Sequence, residues 1–519
     1  MQGMGFSAWL AREMDRPPSA GGCEWLDQRG YGAIDEHAYF DQDYPATYML
    51  WQQLIASPDG VRRRLALALS EFFVVSIQGL DFNWRSNALA AYWDLLCRGA
   101  LGTYRQLLQD VTLSPAMGYY LNTKGNQKAD RQSGRQPDEN YAREVLQLFS
   151  IGLYQLNIDG TEKVDAAGRK IETYQQSDIS QLARVFTGYE FDHSRTGQAK
   201  VKLPAGWRTV ESNTWAVRLP MTVKTDKHST EAAHFLGAHI AAITPADVAL
   251  AQALDVIANH PNVAPFFCRQ MIQRLTTSHP SPAYVARVAR VFNDNGQGVR
   301  GDLRSVFAAI LLDTEARDPR AATRPSWGKL REPMVRLVQW ARTFGLRSQA
   351  GSWKIEDTSS AATHLGQSPL AAPSVFNFFR PGFVPAGAAL ASAGTTVPEF
   401  QLVNESSVGG YLNFLRGFAF NGFYARTPDR PFNAGDQYVQ DMKPSYANEL
   451  PLVTDVDALI RRLNLLLCAG QLSVKTQAII RTALLAARVS ARSSEYNQRL
   501  RVITAVVLVM ASANYLVQK

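Results

Sequence analysis

Apolar residues recur at helical spacing along most of this chain. Thr103 and the pair Ser281-Pro282 are typical of helix N-termini, because a hydroxyl accepts a free backbone N–H and proline needs none. Thr244-Pro245 has the same composition. We therefore predict a mainly α-helical protein, a large multi-helix globular body with small β-hairpin and sheet insertions. Helices are predicted near residues 61–77, 245–259, 263–277, 301–314, 332–345, 455–468, 473–491 and 495–516.

Three regions depart from the helical period. Residues 154–176 hold two Gly-containing turns between short alternating pieces, which predicts hairpins. Residues 189–224 alternate in the same way, including Trp215, and predict a small sheet. We therefore expect one helical domain over 1–519 with a β-rich insertion at 154–224. A long irregular region follows at 348–407, and its Ala/Gly/Ser-rich part, 386–396, is predicted to be a flexible loop.

The composition is that of a globular protein, with 46% hydrophobic and 19% charged residues and a net charge of +8. Many of the basic residues fall between 317 and 347. One interpretation is a solvated helix face together with core ion pairs; the other is a basic face that meets an acidic glycan or a membrane surface. No basic run contains interleaved aromatic residues, so we predict no nucleic-acid partner.

Cysteine usage and apolar runs say little about the compartment. None of the four cysteines forms a CxxC pair, and Cys97, Cys268 and Cys468 lie in apolar helical patterns that predict burial. The disulfide state stays open. The apolar run 502–513 is too short to cross a bilayer, so no transmembrane segment is expected. The first residues read as an amphipathic helix and contain no recognisable signal peptide.

The segment 137–151 carries the densest group of polar residues beside an apolar helix face. It contains Glu139, Asn140, Arg143 and Glu144, with Asn140 one helical turn from Arg143 and Glu144. One interpretation makes Glu144 and Glu139 a general acid and a general base, the carboxylate pair that glycosidic bond cleavage needs. The other is an Arg–carboxylate clamp that joins two helices.

Further candidates follow on the C-terminal side. Asp178 either caps the helix that leads to Arg184 or faces Glu144 as a second acid. His228 is a candidate acid–base group. The spacing between His234 and His239 does not align them on one helical face, so we predict no metal site. No nucleotide-binding or hydrolase fingerprint stands in a suitable setting, and we predict no cofactor.

An aromatic loop surrounds Arg380. Phe376, Phe378, Phe379 and Phe383 lie within eight residues of one another. Such rings stack on sugars, and Arg380 would bind a carboxylate or sulfate. The alternative is that the rings fix the long loop to the core.

Several segments together resemble the bacterial family called domain of unknown function 1800. They are the motif P-D-E-N-Y-A-R-E at 137–144 with its continuation to Gly152, D-I-S-Q-L-A-R-V-F-T-G at 178–188, His228 with Leu236-Gly237, His260-Pro261, and A-P-S-V-F-N-F-F-R-P-G at 372–382. The family usually has Asn at the position of Asp138, an acid at that of Gln147, and Asp and Lys where Ser229 and Ala233 stand. These segments occur in the family's order, and the resemblance extends from about residue 5 to the end of the chain.

The resemblance implies an exported protein, periplasmic or extracellular, because family members are typically exported. They are often encoded beside a protein with a sulfatase-like fold. Our leading hypothesis is a hydrolase of an acidic or neutral extracellular polysaccharide; the alternative is a non-catalytic scaffold that binds the sulfatase-like partner. The predicted catalytic residues are Glu144, Glu139, Asp178 and His228. The predicted substrate-binding residues are Asn140, Tyr141, Arg143, Arg184, Phe378 and Arg380.

Overall fold

A computed structural model describes residues 3–324, 327–387, 389–435 and 438–519. Ala388, inside the predicted loop 386–396, lies outside the described residues. Helices dominate the described chain. The helices before residue 220 are α1 Phe6–Met14, α2 Gly22–Gln28, α3 Tyr44–Ala56, α4 Gly60–Ser70, α5 Arg85–Gly99, α6 Tyr104–Leu113, α7 Pro115–Tyr120, α8 Asn140–Gln147, α9 Gln176–Ala183 and α10 Trp215–Arg218.

The second half of the chain is built in the same way. Its helices are α11 Ala246–Asn259, α12 Val263–Leu275, α13 Pro282–Asn293, α14 Leu303–Leu312, α15 Thr314–Arg317, α16 Pro333–Thr343, α17 Ala389–Ser392, α18 Glu405–Asn421, α19 Val456–Cys468, α20 Val474–Ala486, α21 Glu495–Met510 and α22 Ala513–Leu516. Short 3-10 helices lie at Tyr39–Asp41, Ile77–Gly79, Pro319–Thr323, Pro398–Leu402 and Leu450–Leu452.

The strands form small antiparallel pieces at the edges of the helical body. They are β1 Tyr189–Glu190, β2 Gln198–Leu203, β3 Gly206–Glu211, β4 Thr222–Val223, β5 Ala233–Phe235, β6 Ala238–Ile240, β7 Lys329–Leu330, β8 Arg347–Ser348, β9 Phe423–Ala425, β10 Val439–Lys443 and β11 Val517–Gln518. β10 pairs with both β8 and β9, and the other pairs are β1·β4, β2·β3, β5·β6 and β7·β11. The fold is mainly α with small sheet insertions, as predicted.

The helix ends follow the predicted capping chemistry in two of three places. The Thr103 and Ser281 hydroxyls accept the Gln106 and Tyr284 N–H groups. The prediction at Thr244-Pro245 is wrong in detail, because Pro245 itself is the residue before α11. It has ψ 143°, an extended conformation that places it outside the helix.

Three predicted elements have different boundaries. The helix predicted to reach residue 77 ends at Ser70, and the chain then runs buried until the Ile77 N–H donates to the Leu370 carbonyl at 2.9 Å. Residues 215–218 form a helix instead of a strand, because the Asn213 side chain accepts the Trp215 N–H at 3.0 Å and starts a turn. The last predicted helix breaks before Ser512, whose hydroxyl caps α22.

The predicted hairpins at 154–176 are present as isolated antiparallel bridges. They pair Tyr154 with Glu172, Leu156 with Glu162 and Val164 with Lys170. Their pairing is too short for continuous strands, because two turns divide the segment. The segment follows α8 by a few residues, so it lies close to the predicted catalytic motif in sequence.

A continuous cluster of buried apolar side chains extends from Leu10 to Tyr515. Cys97, Cys268 and Cys468 are buried in it, as predicted, and all four cysteines are free thiols. In the described ranges, no helix has both the length and the apolar composition that a bilayer crossing demands.

Candidate functional site

The start of α8 is fixed by a buried amide. Asn126 accepts the Asp138 N–H through Oδ1 at 2.8 Å and donates from Nδ2 to the Asp138 and Phe186 carbonyls. Asp138 in turn accepts the Asn140 N–H at 2.8 Å. The Asn126 and Asp138 side chains therefore fix the backbone at the point where α8 begins. Asn140 lies half-buried at that point.

Arg143 pairs with Glu139 at the protein surface. Its Nη2 lies 3.2 Å from Glu139 Oε2, and the two side chains are 40% and 32% exposed. Gln176 joins them by donating to the same carboxylate oxygen at 2.7 Å and accepting from Arg143 at 3.4 Å. An Arg–carboxylate clamp between α8 and α9 therefore exists, and its carboxylate is that of Glu139.

Glu144 has the opposite environment. Its side chain is buried, and its Oε2 has no hydrogen-bond partner among the described residues. Burial raises the pKa of Glu144, and the opposing effect of Arg143 is smaller. Tyr120 and Tyr174 lie close enough for the Glu144 charge to act on their hydroxyls. The arrangement places a buried carboxyl group with a raised pKa within two turns of the surface carboxyl group of Glu139.

Other predicted residues of these helices have structural surroundings. Tyr141 is buried, with its hydroxyl 2.7 Å from Thr112 Oγ1 and its ring edge-on to Phe186. Asp178 completes a capping box with Gln175 and also accepts the Leu236 N–H at 2.8 Å. Both Asp178 oxygens therefore accept backbone donors, as the capping interpretation predicted.

Arg184 and His228 also bind within the protein. Arg184 pairs with Glu231 at 3.1 Å and donates to the Ala232 carbonyl. His228 is buried, and its Nδ1 lies 2.8 Å from the Thr187 carbonyl oxygen. A carbonyl can only accept, so Nδ1 carries the hydrogen and the ring orientation is fixed. These two residues connect the segment after α9 with β5.

His234 and His239 form a cross-strand pair on β5 and β6. Their rings stack with centroids 4.3 Å apart, and both are exposed. Among the described residues, no group of three or more His, Cys, Asp or Glu side chains is arranged to hold a metal ion.

A cavity of about 780 Å³ opens beside the C-terminal end of α8. Three parts of the chain supply most of its wall: the segment from Gln147 to Glu162, helix α12 with the turn after it, and the aromatic loop. Its apolar wall includes Phe72, Leu148, Leu153, Phe266, Val285 and Phe376. Its volume is in the range of small-molecule sites.

The aromatic loop contributes one ring to this cavity. Phe376 is 42% exposed and lines it, and the Arg380 guanidinium lies 5.5 Å from the ring centroid. Phe379 is buried, and Phe378, the ring predicted to bind substrate, is half-buried outside the cavity lining. The loop therefore contains one buried ring, Phe379, and one ring, Phe376, that faces the cavity.

A buried ionic cluster lies under the cavity. Burial, and then the charge of Glu332, raises the pKa of Glu71 well above its usual range. Burial alone would raise the pKa of Glu332, but Lys329 and a hydrogen bond from Glu71 lower it. The two buried acids therefore differ, since the pKa of Glu71 is raised and that of Glu332 is lowered. Lys329 Nζ lies 3.4 Å from both Glu332 and Glu399.

The sequence prediction did not include these cluster residues or those of the cavity wall. One signal was present, because Glu71 is the lone acid in the apolar run after α4. Within the basic stretch 317–347, Lys329 and Arg336 are buried. That part of the stretch matches the core interpretation and not the basic-face one.

The whole chain matches one protein family. The model described as "Protein of unknown function (DUF1800)" covers residues 1–517. This chain belongs to the DUF1800 family. The DUF1800 motif at 137–152 forms α8 and lines the cavity with Gln147, Leu148 and Gly152, whereas Glu139 and Glu144 are not among the lining residues. The motif at 372–382 forms the aromatic loop, which also lines the cavity. No curated protein and no solved structure matches the chain.

Proposed function

We propose that this protein is a hydrolase of an extracellular polysaccharide, with Glu144 as general acid and Glu139 as general base. Glycosidic bond cleavage uses two carboxyl groups, one kept protonated and one kept ionised. Glu144 would protonate the glycosidic oxygen that leaves. Glu139 would take a proton from the attacking water. The extracellular setting comes from the export that is typical of DUF1800 proteins.

The proposal depends on one observation: among the described residues, no cationic side chain forms an ion pair with Glu144. If Glu144 served only to join helices, a cationic partner would be expected, since a buried carboxylate without one is costly. Arg143 is the nearest candidate in sequence, and it pairs with Glu139. Glu144 keeps a buried oxygen without a partner in the described chain, and its pKa is raised by burial. A raised pKa suits a general acid, because the group then keeps the proton that it has to donate.

The cavity is the proposed binding site for the polysaccharide. Gln147, one turn after Glu144, lines the cavity and accepts the Tyr174 hydroxyl at 3.3 Å. A chain of sugars that enters between Phe376 and Leu153 would reach α8 along this edge. Asn140 and Arg143 would then contact the sugar beside the cleaved bond, and Arg380 would contact it near the cavity mouth.

The remaining predicted residues would have a positioning role. Asp178 and His228 hold the chain around α9 through backbone hydrogen bonds, and Tyr141 and Arg184 connect α8 and α9 to their neighbours. Since α9 carries Gln176, which contacts both Glu139 and Arg143, these bonds would keep the Glu139 carboxylate in place.

The test measures reducing ends released from acidic and neutral glycans by the full chain. Glu144→Gln and Glu139→Gln should each lower the rate by a factor on the order of 10² or more, the contribution of one acid–base group. Glu172→Gln is the matched control, because Glu172 is an exposed acid of the neighbouring hairpin. Equal rates in wild type and Glu144→Gln would overturn the assignment.

The alternative function is a non-catalytic scaffold that binds a sulfatase-like partner. It predicts no release of reducing ends from any glycan. It also predicts that Glu144→Gln melts at a markedly lower temperature than wild type, because the carboxyl group would then serve the fold. The two functions therefore give opposite results in activity and in stability.

A further inference from the structure

The polar groups that line the cavity include both acids and hydrogen-bond donors. Two of its three acids are already occupied, because Glu162 pairs with Lys170 at 2.8 Å and Asp159 accepts the Thr161 N–H and hydroxyl. The third, Glu71, is buried 3.7 Å from the Arg274 guanidinium, and burial raises its pKa. A ligand in this cavity therefore meets few free acceptors. The donors that remain decide which ligand fits.

Arg269 on α12 is the cation that remains available. The part of the chain that the structure describes places no carboxylate within ion-pair distance of its guanidinium. Its one hydrogen bond there is a long contact of 3.4 Å from Nη1 to the Gly160 carbonyl. Burial lowers its pKa, which means that a charged group is held with little solvent. A half-buried, weakly paired arginine is suited to bind an oxyanion in a bidentate manner.

His279 supplies a second donor beside it. The Thr396 backbone N–H, which can only donate, lies 3.2 Å from His279 Nδ1. Nδ1 is therefore the acceptor, and Nε2 carries the hydrogen of the neutral ring. Burial and the nearby charge of Arg269 lower the pKa of His279 and keep this neutral form. Nε2–H has no partner among the described residues, and His279 lines the cavity.

Asn377 adds a further hydrogen-bond donor to the cavity lining. It lines the cavity, is 6% exposed, and its Nδ2 has no hydrogen-bond partner within the described chain. Phe266 and Phe376 provide ring surfaces around these donors. Sugar rings pack their C–H faces on such surfaces. The cavity thus combines a stacking surface with a cationic, donor-rich end.

We propose that the cavity binds an acidic sugar unit, whose carboxylate or sulfate group pairs with Arg269 and accepts a hydrogen bond from His279 Nε2. This inference rests on the proposed function for the substrate being a polysaccharide, and it selects the acidic class over the neutral one. The ring of that unit packs against Phe376 and Phe266. Carboxylate and sulfate present the same oxygen pair to a guanidinium, so the experiment separates them.

Calorimetric titration of the full chain compares three probes of equal length: a galacturonic acid trisaccharide, a sulfated galactan trisaccharide and neutral maltotriose. We expect at least one acidic probe to bind about tenfold more tightly than maltotriose or better. The probe that binds more tightly identifies the oxyanion. Raising the salt concentration should weaken the binding of the acidic probe and leave the binding of maltotriose unchanged.

Arg269→Gln should reduce the affinity for the acidic probe about tenfold or more and leave that for maltotriose unchanged. Arg290→Gln, which removes an exposed arginine of α13, is the matched control and should bind as wild type does. Melting curves confirm that both variants fold. The salt series on wild type keeps the test decisive if Arg269→Gln does not fold.

Equal affinity for acidic and neutral probes, or no binding of any of them, would overturn the inference. Cleavage of neutral glycans only would also overturn it, while the hydrolase proposal would stand. Tight binding of an acidic probe without cleavage would leave this inference standing and refute the hydrolase proposal.

Discussion

Arg143 pairs with Glu139 and not with Glu144, although Glu144 is its neighbour in sequence. The guanidinium lies 3.2 Å from the Glu139 carboxylate. One turn of helix thus carries a surface ion pair and a buried acid whose pKa is raised. The difference arises because residues four apart meet on one helix face, whereas adjacent residues point in different directions.

Replacing Glu144 by Gln should leave the free energy of unfolding unchanged or raise it. The raised pKa of Glu144 means that burial disfavours its charged form, and a neutral amide of the same shape avoids that cost. A structural clamp would instead lose about 3 kcal/mol or more. Urea unfolding at pH 7 measures the difference, with Glu172→Gln as control.

The same substitution should change the pH dependence of stability. A folded-state pKa above the ordinary value of 4.5 gives a contribution that is complete below that value and is lost as pH rises through the folded pKa. Wild type should therefore lose stability relative to Glu144→Gln as pH increases from about 4.5 towards neutrality. A constant difference between the two proteins across this range would contradict the assignment of a raised pKa.

Lys329→Met should destabilise the fold by about 3–5 kcal/mol, because it leaves the buried carboxylates of Glu332 and Glu399 without their cation. Lys170→Met removes an exposed ion pair with Glu162 and should cost roughly 0–1 kcal/mol. Guanidinium unfolding compares the two. A similar loss of unfolding free energy in both variants would show that the buried cluster contributes no more to stability than an exposed ion pair does.

Phe379→Ala should cost about 3–5 kcal/mol, since the ring is 4% exposed and its removal leaves a cavity. Phe376→Ala should change stability by about 0.5 kcal/mol or less, because that ring is exposed. It should instead weaken glycan binding. Thermal melting and calorimetric titration together check the pair, and the reverse pattern would place the sugar elsewhere.

Asp178→Ala should lower stability by about 1–2 kcal/mol through loss of the helix cap. Asp178→Asn keeps an acceptor oxygen and should lose less. Any hydrolytic activity should fall only as far as the folded fraction does, measured by circular dichroism beside the activity assay. A stable but inactive Asp178→Asn protein would give Asp178 a role in the reaction.

Local chemistry made much of the fold predictable. The helical period predicted α12 and α19 nearly to their ends, and the caps at Thr103 and Ser281 were correct because a cap involves only residues near it in sequence. The pair Glu139 and Arg143 was also predictable from helical spacing.

The residues that line the cavity could not be predicted from local sequence patterns. Glu71, Asn377 and the pair Arg269 and His279 come from three distant parts of the chain, and each looks unremarkable in its own segment. The end of α4 at Ser70 was mispredicted for the same reason, since the chain after it is held by a contact to Leu370.

The sequence by itself determined the helical class, the DUF1800 resemblance and the polar motif at 137–151, because periodicity and motif order are properties of neighbouring residues. Only the tertiary structure decided which acid is buried, which arginine is paired and which residues share a cavity. Those properties depend on desolvation and on contacts between distant segments, and both exist only after the helices have packed.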